Sequence, residues 1–402
     1  MSGVSSAIDR QTLASFMAIL VEKEVYSIDW LKFRREVEDE RLLALTDRIL
    51  DSFRKLTIAG CRSLDIDRRL CDEQLCRLAE WGQMAYRMFF NDDARKHLAT
   101  RFPTMGAEIP APTFISKEVP FPWELLYEGE DYNTARAEMF WGLRYSPARI
   151  LDPAKGLTAE FLTQSLPSDM LFCLHHKLRQ AHEREWPEVR KLVMAAREDC
   201  FHLLGSDGKT RHVACGATLR DYLYQSSHNM VHFACHCRPG EAGADVLVLS
   251  SIGDDGIQRS TPLLEISNYT LIRTDGRLQR RPLIFLNACQ SGGGGDVLRK
   301  TFHFPRVFIE RGAAAVVATA CPVPDLFAAA FARHFYSLFL RGQEIAAEAA
   351  GEKIWRPMTI GEALRATRWH FLERHNNPLG LAYGLYSPAQ YKLERSLTGG
   401  GL

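Results

Sequence analysis

The chain has 402 residues, 50 basic against 49 acidic, a formal charge of +1, 46% hydrophobic and 25% charged residues, and ten cysteines. That balance excludes a surface dominated by one sign of charge, and with it a bulk attraction to nucleic acid or an anionic membrane. The length points to two or three folding units, each able to bury a core without disulfide staples.

The N-terminal MSGVSSAIDR lacks a basic stretch followed by an apolar one, so no signal peptide is expected. The cysteines have no framework spacing and are expected to be reduced thiols in a cytoplasm. Leu13, Phe16, Met17, Leu20 and Val21 recur at helical spacing, and so do Leu75, Leu78, Trp81, Tyr86 and Phe89. The first 100 residues therefore read as mainly helical, with a strand over Phe53–Ala59 and a solvated helix over the mixed-charge run Phe33–Arg41. Prolines from Pro103 to Pro122 mark strands and turns, ending at Phe121-Pro122-Trp123-Glu124-Leu125-Leu126-Tyr127. Trp123 is expected to anchor the core between two halves, with Glu124 paired to a neighbour.

Beyond about residue 165, short apolar runs at Met170–Leu174, His212–Cys215, Met230–Cys235, Leu283–Asn287 and Ala313–Thr319 alternate with helical patterns at Glu183–Leu204 and Thr218–Tyr224. Strands alternating with helices predict an α/β fold with a mostly parallel sheet flanked by helices. The most apolar stretch, 312–332, is interrupted by Pro322, Pro324 and Asp325, which suits strand, turn and helix better than a membrane span. No repeat of solenoid length is visible.

In such sheets chemistry gathers beyond the carboxyl ends of the strands. One run delivers His236 and Cys237; another delivers Cys289, Gln290, Ser291 and Gly292, followed by three more glycines. A nucleophilic cysteine needs an imidazole near it in space, and a glycine-rich loop lets backbone N–H groups approach an oxyanion. If the two strands are adjacent, His236 and Cys289 can face each other. His232, four residues before His236, shares its side of the strand and competes for the role of base. Cys235-His236-Cys237 looks like metal ligation, but alternate strand residues face opposite ways and no second ligand pair exists at zinc spacing, so no metal is expected. His175 and His176 are expected to be solvated. Asp325, at a strand-to-helix turn, is expected to cap helix N–H groups.

The strings Val231-His232-Phe233-Ala234-Cys235-His236, Leu286-Asn287-Ala288-Cys289-Gln290-Ser291-Gly292, Gly312–Thr319 with Pro322-Val323-Pro324-Asp325, Phe335-Tyr336, Gly361-Glu362-Ala363-Leu364 and Asn376–Tyr383 together resemble the CHAT domain, a family of caspase-like cysteine peptidases related to separase. Phe121–Tyr127 resembles the proline-tryptophan-glutamate signature of the family's non-catalytic first half. The resemblance covers roughly residues 75–395. It implies a helical N-terminal segment (1–50), a pseudo-caspase half (51–165) and a catalytic caspase-like half (166–402).

The resemblance also implies a His236/Cys289 dyad that cleaves peptide bonds, without a cofactor. The oxyanion donors it implies are the backbone N–H groups of Cys289 and of Cys237, where the family usually has glycine. Cys237, Gln290 and Asp325 are the expected oxyanion or substrate-binding positions, Asp325 through a basic side chain before the cleaved bond. Cys321 stands where tryptophan is common. A protein substrate and an activating protein partner are expected, with latency until the loop Gln290–Asp296 is ordered and a place in a bacterial defence or programmed-death system. A catalytically silent caspase-like scaffold is the alternative. An α/β hydrolase or nucleotide-binding protein is disfavoured, since neither G-x-S-x-G nor a P-loop is present.

Overall fold

The computed structural model describes residues 16–21, 25–28, 31–34, 39–101, 110–115, 121–151, 163–165, 170–194, 201–204, 228–239, 245–252, 258–263, 278, 280–290, 303–346 and 353–394. The first half opens on strands β1 (Phe16–Val21), β2 (Val25–Ile28) and β3 (Leu31–Arg34) and helices α1 (Asp39–Gly60), α2 (Arg68–Phe89) and α3 (Asp92–Arg101). Strand β4 (Ala111–Ile115), the short helix α4 (Trp141–Arg144) and strand β5 (Ala148–Ile150) follow. The five strands form one sheet in the order β3-β2-β1-β4-β5, with β1, β4 and β5 parallel.

Three expectations are corrected here. The helix expected over Leu13–Val21 is strand β1 from Phe16 onward. The run FMAILV is apolar at every position, so periodicity does not separate helix from strand, and parallel pairing with β4 decides for the strand. The strand expected over Phe53–Ala59 lies inside α1, where Ile49, Phe53 and Leu56 recur at helical spacing and are fully buried. The charged run from Phe33 divides between the end of β3 and the start of α1 at Asp39.

Asp67 opens α2 by accepting the Leu70 N–H. Its apolar face buries Leu75, Leu78 and Phe89. At Gly82 an added Cβ would lie 2.0 Å from the Leu125 carbonyl oxygen, so glycine is what lets α2 touch the Trp123–Leu126 backbone. Trp123 stacks on Phe114 with ring centroids 3.9 Å apart and meets Phe89 at 4.8 Å, so through these rings it anchors the core of the first half.

The second half contains β6 (Thr163–Ser165), β7 (Met170–Leu174), a π-helical turn (Ala181–Glu185) running into α5 (Trp186–Met194), β8 (Phe201–Leu204), β9 (Met230–Pro239), β10 (Asp245–Ile252), β11 (Gln258–Leu263) and β12 (Leu283–Gln290). Then come α6 (His303–Glu310), β13 (Ala315–Thr319), α7 (Asp325–Arg341), β14 (Gln343–Ala346), β15 (Lys353–Arg356), α8 (Ile360–His375), β16 (Tyr383–Tyr386) and β17 (Lys392–Glu394). The helix expected over Glu183–Leu204 therefore gives way to a strand, β8, which pairs in parallel with β7. The runs at His212–Cys215 and Thr218–Tyr224 lie outside the described residues.

Strands β8, β7, β9, β12 and β13 are parallel neighbours in that order, and β16 closes the edge antiparallel. The α/β sheet is mostly parallel and flanked by helices, as expected. Period-2 alternation sorts its side chains. Phe172, Ala234, Phe285 and Val317 join the large core beneath α7 and α8, while Cys173, Val231, Phe233, Ile284 and Val316 face the smaller core beneath α6. Among the described residues, no helix is long and apolar enough to cross a membrane.

The two halves meet through charge as well as apolar packing. Glu124, 1% exposed, accepts from Arg149 Nη1 at 2.8 Å and from Arg368 Nη2 at 3.5 Å. Arg368 also donates to the Gly142 and Tyr383 carbonyls. A first-half carboxylate thus holds a strand guanidinium of its own half and a helix guanidinium of the other.

Candidate active site

Strand β9 is longer than its neighbour β7, and this difference builds the site. Met230–Ala234 pair with β7 up to Leu174, whereas His236–Pro239 pair on the same edge with β10. The sheet forks at the position just before His236. His236 therefore lies at the fork, three residues inside the strand rather than at its end. On the other edge β12 pairs in parallel along the whole stretch, with Leu283 opposite Met230 and Cys289 opposite His236. Paired positions in a parallel ladder share one face, and neighbouring strands lie roughly 4.8 Å apart. Cys289 and His236 are thus side-by-side backbone positions on two central parallel strands, Cys289 one residue and His236 three residues before the strand's carboxyl end.

His236 is half-buried. Burial, and then the charge of Lys177, hold its pKa below the ordinary 6.5, which favours the neutral imidazole. Its Nδ1 is buried without a hydrogen-bond partner among the described residues. The His175 ring meets it edge-on, with centroids 4.6 Å apart. His175 is itself 1% exposed, which corrects the expectation of a solvated residue. Its backbone N–H donates to the Ala234 carbonyl at 2.8 Å, extending β7 by one bond and turning the ring into the fork. Burial first, then His236, His176, Lys177 and His182, push its pKa down to about 3, and Nδ1 accepts the Lys177 N–H. His176 stacks on it at 4.6 Å.

His232 belongs to the floor of the site. It is fully buried, stacked between Phe172 at 4.3 Å and Phe285 at 5.2 Å, and its Nδ1 lies 3.2 Å from the Tyr336 hydroxyl. Its Nε2 approaches Glu185 Oε1 at 2.9 Å, off the line of a direct hydrogen bond. Position alone made His232 a competitor of His236; enclosure by two rings and a carboxylate is what separates them.

Asn287, two residues before Cys289 and on the same face of β12, is 3% exposed. Its Nδ2 donates to Glu185 Oε1 at 2.6 Å and to the Ala328 carbonyl at 3.0 Å, and its Oδ1 accepts the Tyr383 hydroxyl at 2.8 Å. Glu185, Tyr383 and Lys177 were missed by sequence reasoning. The one available signal was Asn287 itself, a polar residue inside the apolar run LIFLNAC, which a sheet interior accepts only when it is bonded.

Cys235 and Cys237 pack into the core on the opposite face from His236. Cys237 pairs with Leu247 on one side and Gln290 on the other. Gln290 ends β12, and residues 291–302, which include most of the glycine-rich loop, lie outside the described residues. Asp325 is the first residue of α7 and makes no cap for that helix, whose N-cap is Pro324. Its Oδ2 instead accepts the Gln180 N–H at 2.8 Å, at the start of the helical stretch that carries Glu185. Burial raises its pKa, partly opposed by backbone N–H groups of Gln180 and Ala181. Cys321 is buried just beyond β13. Among the described residues no cluster of three or more His, Cys, Asp or Glu could hold a metal ion.

Comparison with known proteins finds relatives of the chain. The model of the CHAT domain matches residues 120–387, more than half of the chain. A probable protease of Vitiosangium sp. (strain GDMCC 1.1324) is 28% identical over 165 residues, which cover 40% of this chain and 19% of that protein. The match thus spans about a fifth of the relative's length. The Saccharomyces cerevisiae separase–securin complex overlays loosely, with a TM-score of 0.39 and 12% identity, covering 87% of this chain and 22% of the other. The complex of Porphyromonas gingivalis RgpB pro- and mature domains gives a TM-score of 0.46 at 10% identity, covering 89% and 78%.

Proposed function

The chain belongs to the CHAT domain family, and from that premise we propose that it is a cysteine endopeptidase in which His236 and Cys289 form the catalytic dyad. The observation that carries the reading is the register of β9 and β12, which makes these two paired positions toward the carboxyl ends of adjacent parallel strands, where β9 forks between β7 and β10. His236, held toward its neutral form by burial and Lys177, takes the Cys289 proton. The thiolate attacks the scissile carbonyl, the oxyanion is met by backbone N–H groups, and the imidazolium returns its proton to the leaving amine. Water then hydrolyses the acyl-enzyme through the same histidine.

The backbone N–H groups of Cys289 and Cys237 are the proposed oxyanion donors, with Gln290 beside them at the mouth of the cleft. In the ladder Cys237 is paired on both flanks, so its N–H takes up that role where the last rungs against Gln290 or Leu247 open. Asp325 lies beyond β13 at the same rim. It is the proposed contact for a basic side chain before the cleaved bond, its Oδ2 already serving Gln180.

The proposal extends to a protein substrate, latency relieved by a separate protein partner, a cytoplasmic setting that keeps the thiol reduced, and a role in bacterial defence or programmed death. The competing reading is a silent scaffold of the same fold. Purified chain treated with a cysteine-reactive peptide probe distinguishes them. Labelling is expected in wild type and lost in Cys289→Ala and in His236→Ala; equal labelling of wild type and Cys289→Ala sinks the dyad.

A further inference from the structure

Beneath the paired positions of His236 and Cys289 lies a buried polar assembly that the proposed chemistry does not itself use. Glu185, 1% exposed, reaches both strands of the site at once. Its Oε1 accepts Asn287 Nδ2 at 2.6 Å on β12 and lies 2.9 Å from His232 Nε2 on β9. Asn287 precedes Cys289 by two residues, and His232 precedes His236 by four, so in a strand both stand on the face of the dyad. One carboxylate therefore touches the chemistry-bearing face of each strand, one or two pleats below the reacting positions.

Asn287 is tied from three separate elements: Glu185 on the π turn, the Ala328 carbonyl on α7, and the Tyr383 hydroxyl on β16. Tyr383 is in turn held through its carbonyl by Arg368 at 2.6 Å, and its ring stacks on Phe331 at 3.9 Å. A buried amide and carboxylate contribute little net stability over apolar residues of the same shape, because each must first be desolvated. The neighbouring position on the same face, Phe285, shows that the core accepts an apolar side chain there. Polar groups at this place fix direction and spacing, which apolar contacts do less sharply.

The backbone supports the same conclusion. The five residues Ala181–Glu185 are π-helical, a rare geometry that recurs at functional sites and here ends at the residue aimed into the sheet. Asp325 holds the start of that stretch through the Gln180 N–H.

We infer that Glu185, Asn287 and Tyr383 are positioning residues that lock β12 against β9 and so set Cys289 against His236. The inference rests on the dyad reading. Its test uses the full chain and iodoacetamide, with alkylation of the Cys289 peptide followed by mass spectrometry across pH and the exposed Cys61 as internal control. Asn287→Ala and Glu185→Ala slow alkylation of Cys289 at neutral pH on the order of tenfold, within the range misplaced catalytic groups show. Both move its pH profile toward that of a free thiol, near pH ~8.5. Tyr383→Phe, which removes one hydroxyl and keeps the ring, gives a smaller shift in the same direction, and Glu185→Gln, which keeps an acceptor for Asn287, recovers part of the rate lost in Glu185→Ala.

Cys61 reacts alike in all variants. Asn287→Ala or Tyr383→Phe with the wild-type Cys289 profile overturns the inference, and Tyr383→Phe decides it alone where the alanine variants do not fold. A His236→Ala arm separates the two ideas. If it leaves the Cys289 profile unchanged, dyad and clamp both fall; if it shifts the profile while Asn287→Ala and Tyr383→Phe do not, the dyad stands and the clamp falls.

Discussion

The Asp325 carboxylate accepts the backbone N–H of Gln180, 145 residues earlier, and so caps a helical stretch other than the one it begins. The cap needs an acceptor oxygen, which an amide side chain also supplies. Asp325→Ala is expected to lower stability by about 1 kcal/mol, and Asp325→Asn by less than about 0.5 kcal/mol. Urea midpoints check this, and an Asn variant as unstable as the Ala variant refutes it. The two variants also isolate the proposed substrate contact: a peptide library cleaved after basic residues by wild type loses that preference in Asp325→Asn at unchanged stability.

Lys177 lies close enough to His236 for its charge to lower the imidazole pKa, second to burial. Replacing it by methionine removes one of the two depressing influences, so the histidine pKa rises while burial keeps it at or below the ordinary 6.5. The neutral base is then lost at a higher pH. The acid limb of Cys289 alkylation in Lys177→Met is expected to move upward relative to wild type, and a limb that stays in place or moves down rules out the charge effect.

The parallel sheet was legible because runs such as Met230–Cys235 and Leu283–Asn287 are short, apolar and well separated, whereas the adjacency of these two strands, which sets Cys289 opposite His236, was a condition that only the fold supplies. The segment FMAILV was not legible, because a run apolar at every position carries no period and is settled only by β4, some ninety residues away. His175 read as a polar residue after a strand; its burial comes from the fork in β9, a tertiary event without a local signature. Glu185 was hidden twice, by a helical pattern that a π turn rotates out of phase and by partners on two distant strands. Glu124 was found as a residue needing a partner, while Arg149 and Arg368 came only from the fold.

Among the described residues Glu124 is the one carboxylate bonded to both Arg149 and Arg368, and all three are at most 4% exposed. Burial already lowers the Arg368 pKa to about 10 even with Glu124 present. Glu124→Gln removes the carboxylate that the two buried guanidinium groups share, a change that costs roughly 3–5 kcal/mol when a buried pair is broken. Thermal unfolding of Glu124→Gln is expected to show a loss of that size, far above that of Arg144→Gln, which breaks the more exposed pair with Glu128. Comparable losses in the two variants would remove the special role of the interface triad.

His175 and His334 give the chain a defined response to acid. Burial pushes His334 down to about 4, aided by His370 stacked on it at 3.9 Å and by Arg333, and His175 down to about 3. A histidine whose folded pKa lies below its unfolded value of 6.5 resists protonation only in the folded state. Its stability contribution is complete above pH 6.5 and is lost as pH falls from 6.5 toward 3–4. The carboxylates held below their ordinary values, Asp51 and Glu188 by neighbouring lysines and Glu138 by its own backbone N–H and then Arg136, lose theirs only below their ordinary 3.8 to 4.5. Glu128 and Asp325, raised by burial, act in the opposite sense, gaining stability on protonation. The histidine effect is therefore read as a difference: between pH 7.5 and 5 the urea midpoint of His334→Gln should fall less than that of wild type. Parallel falls would show that His334 protonates as easily in the folded chain as in the unfolded one.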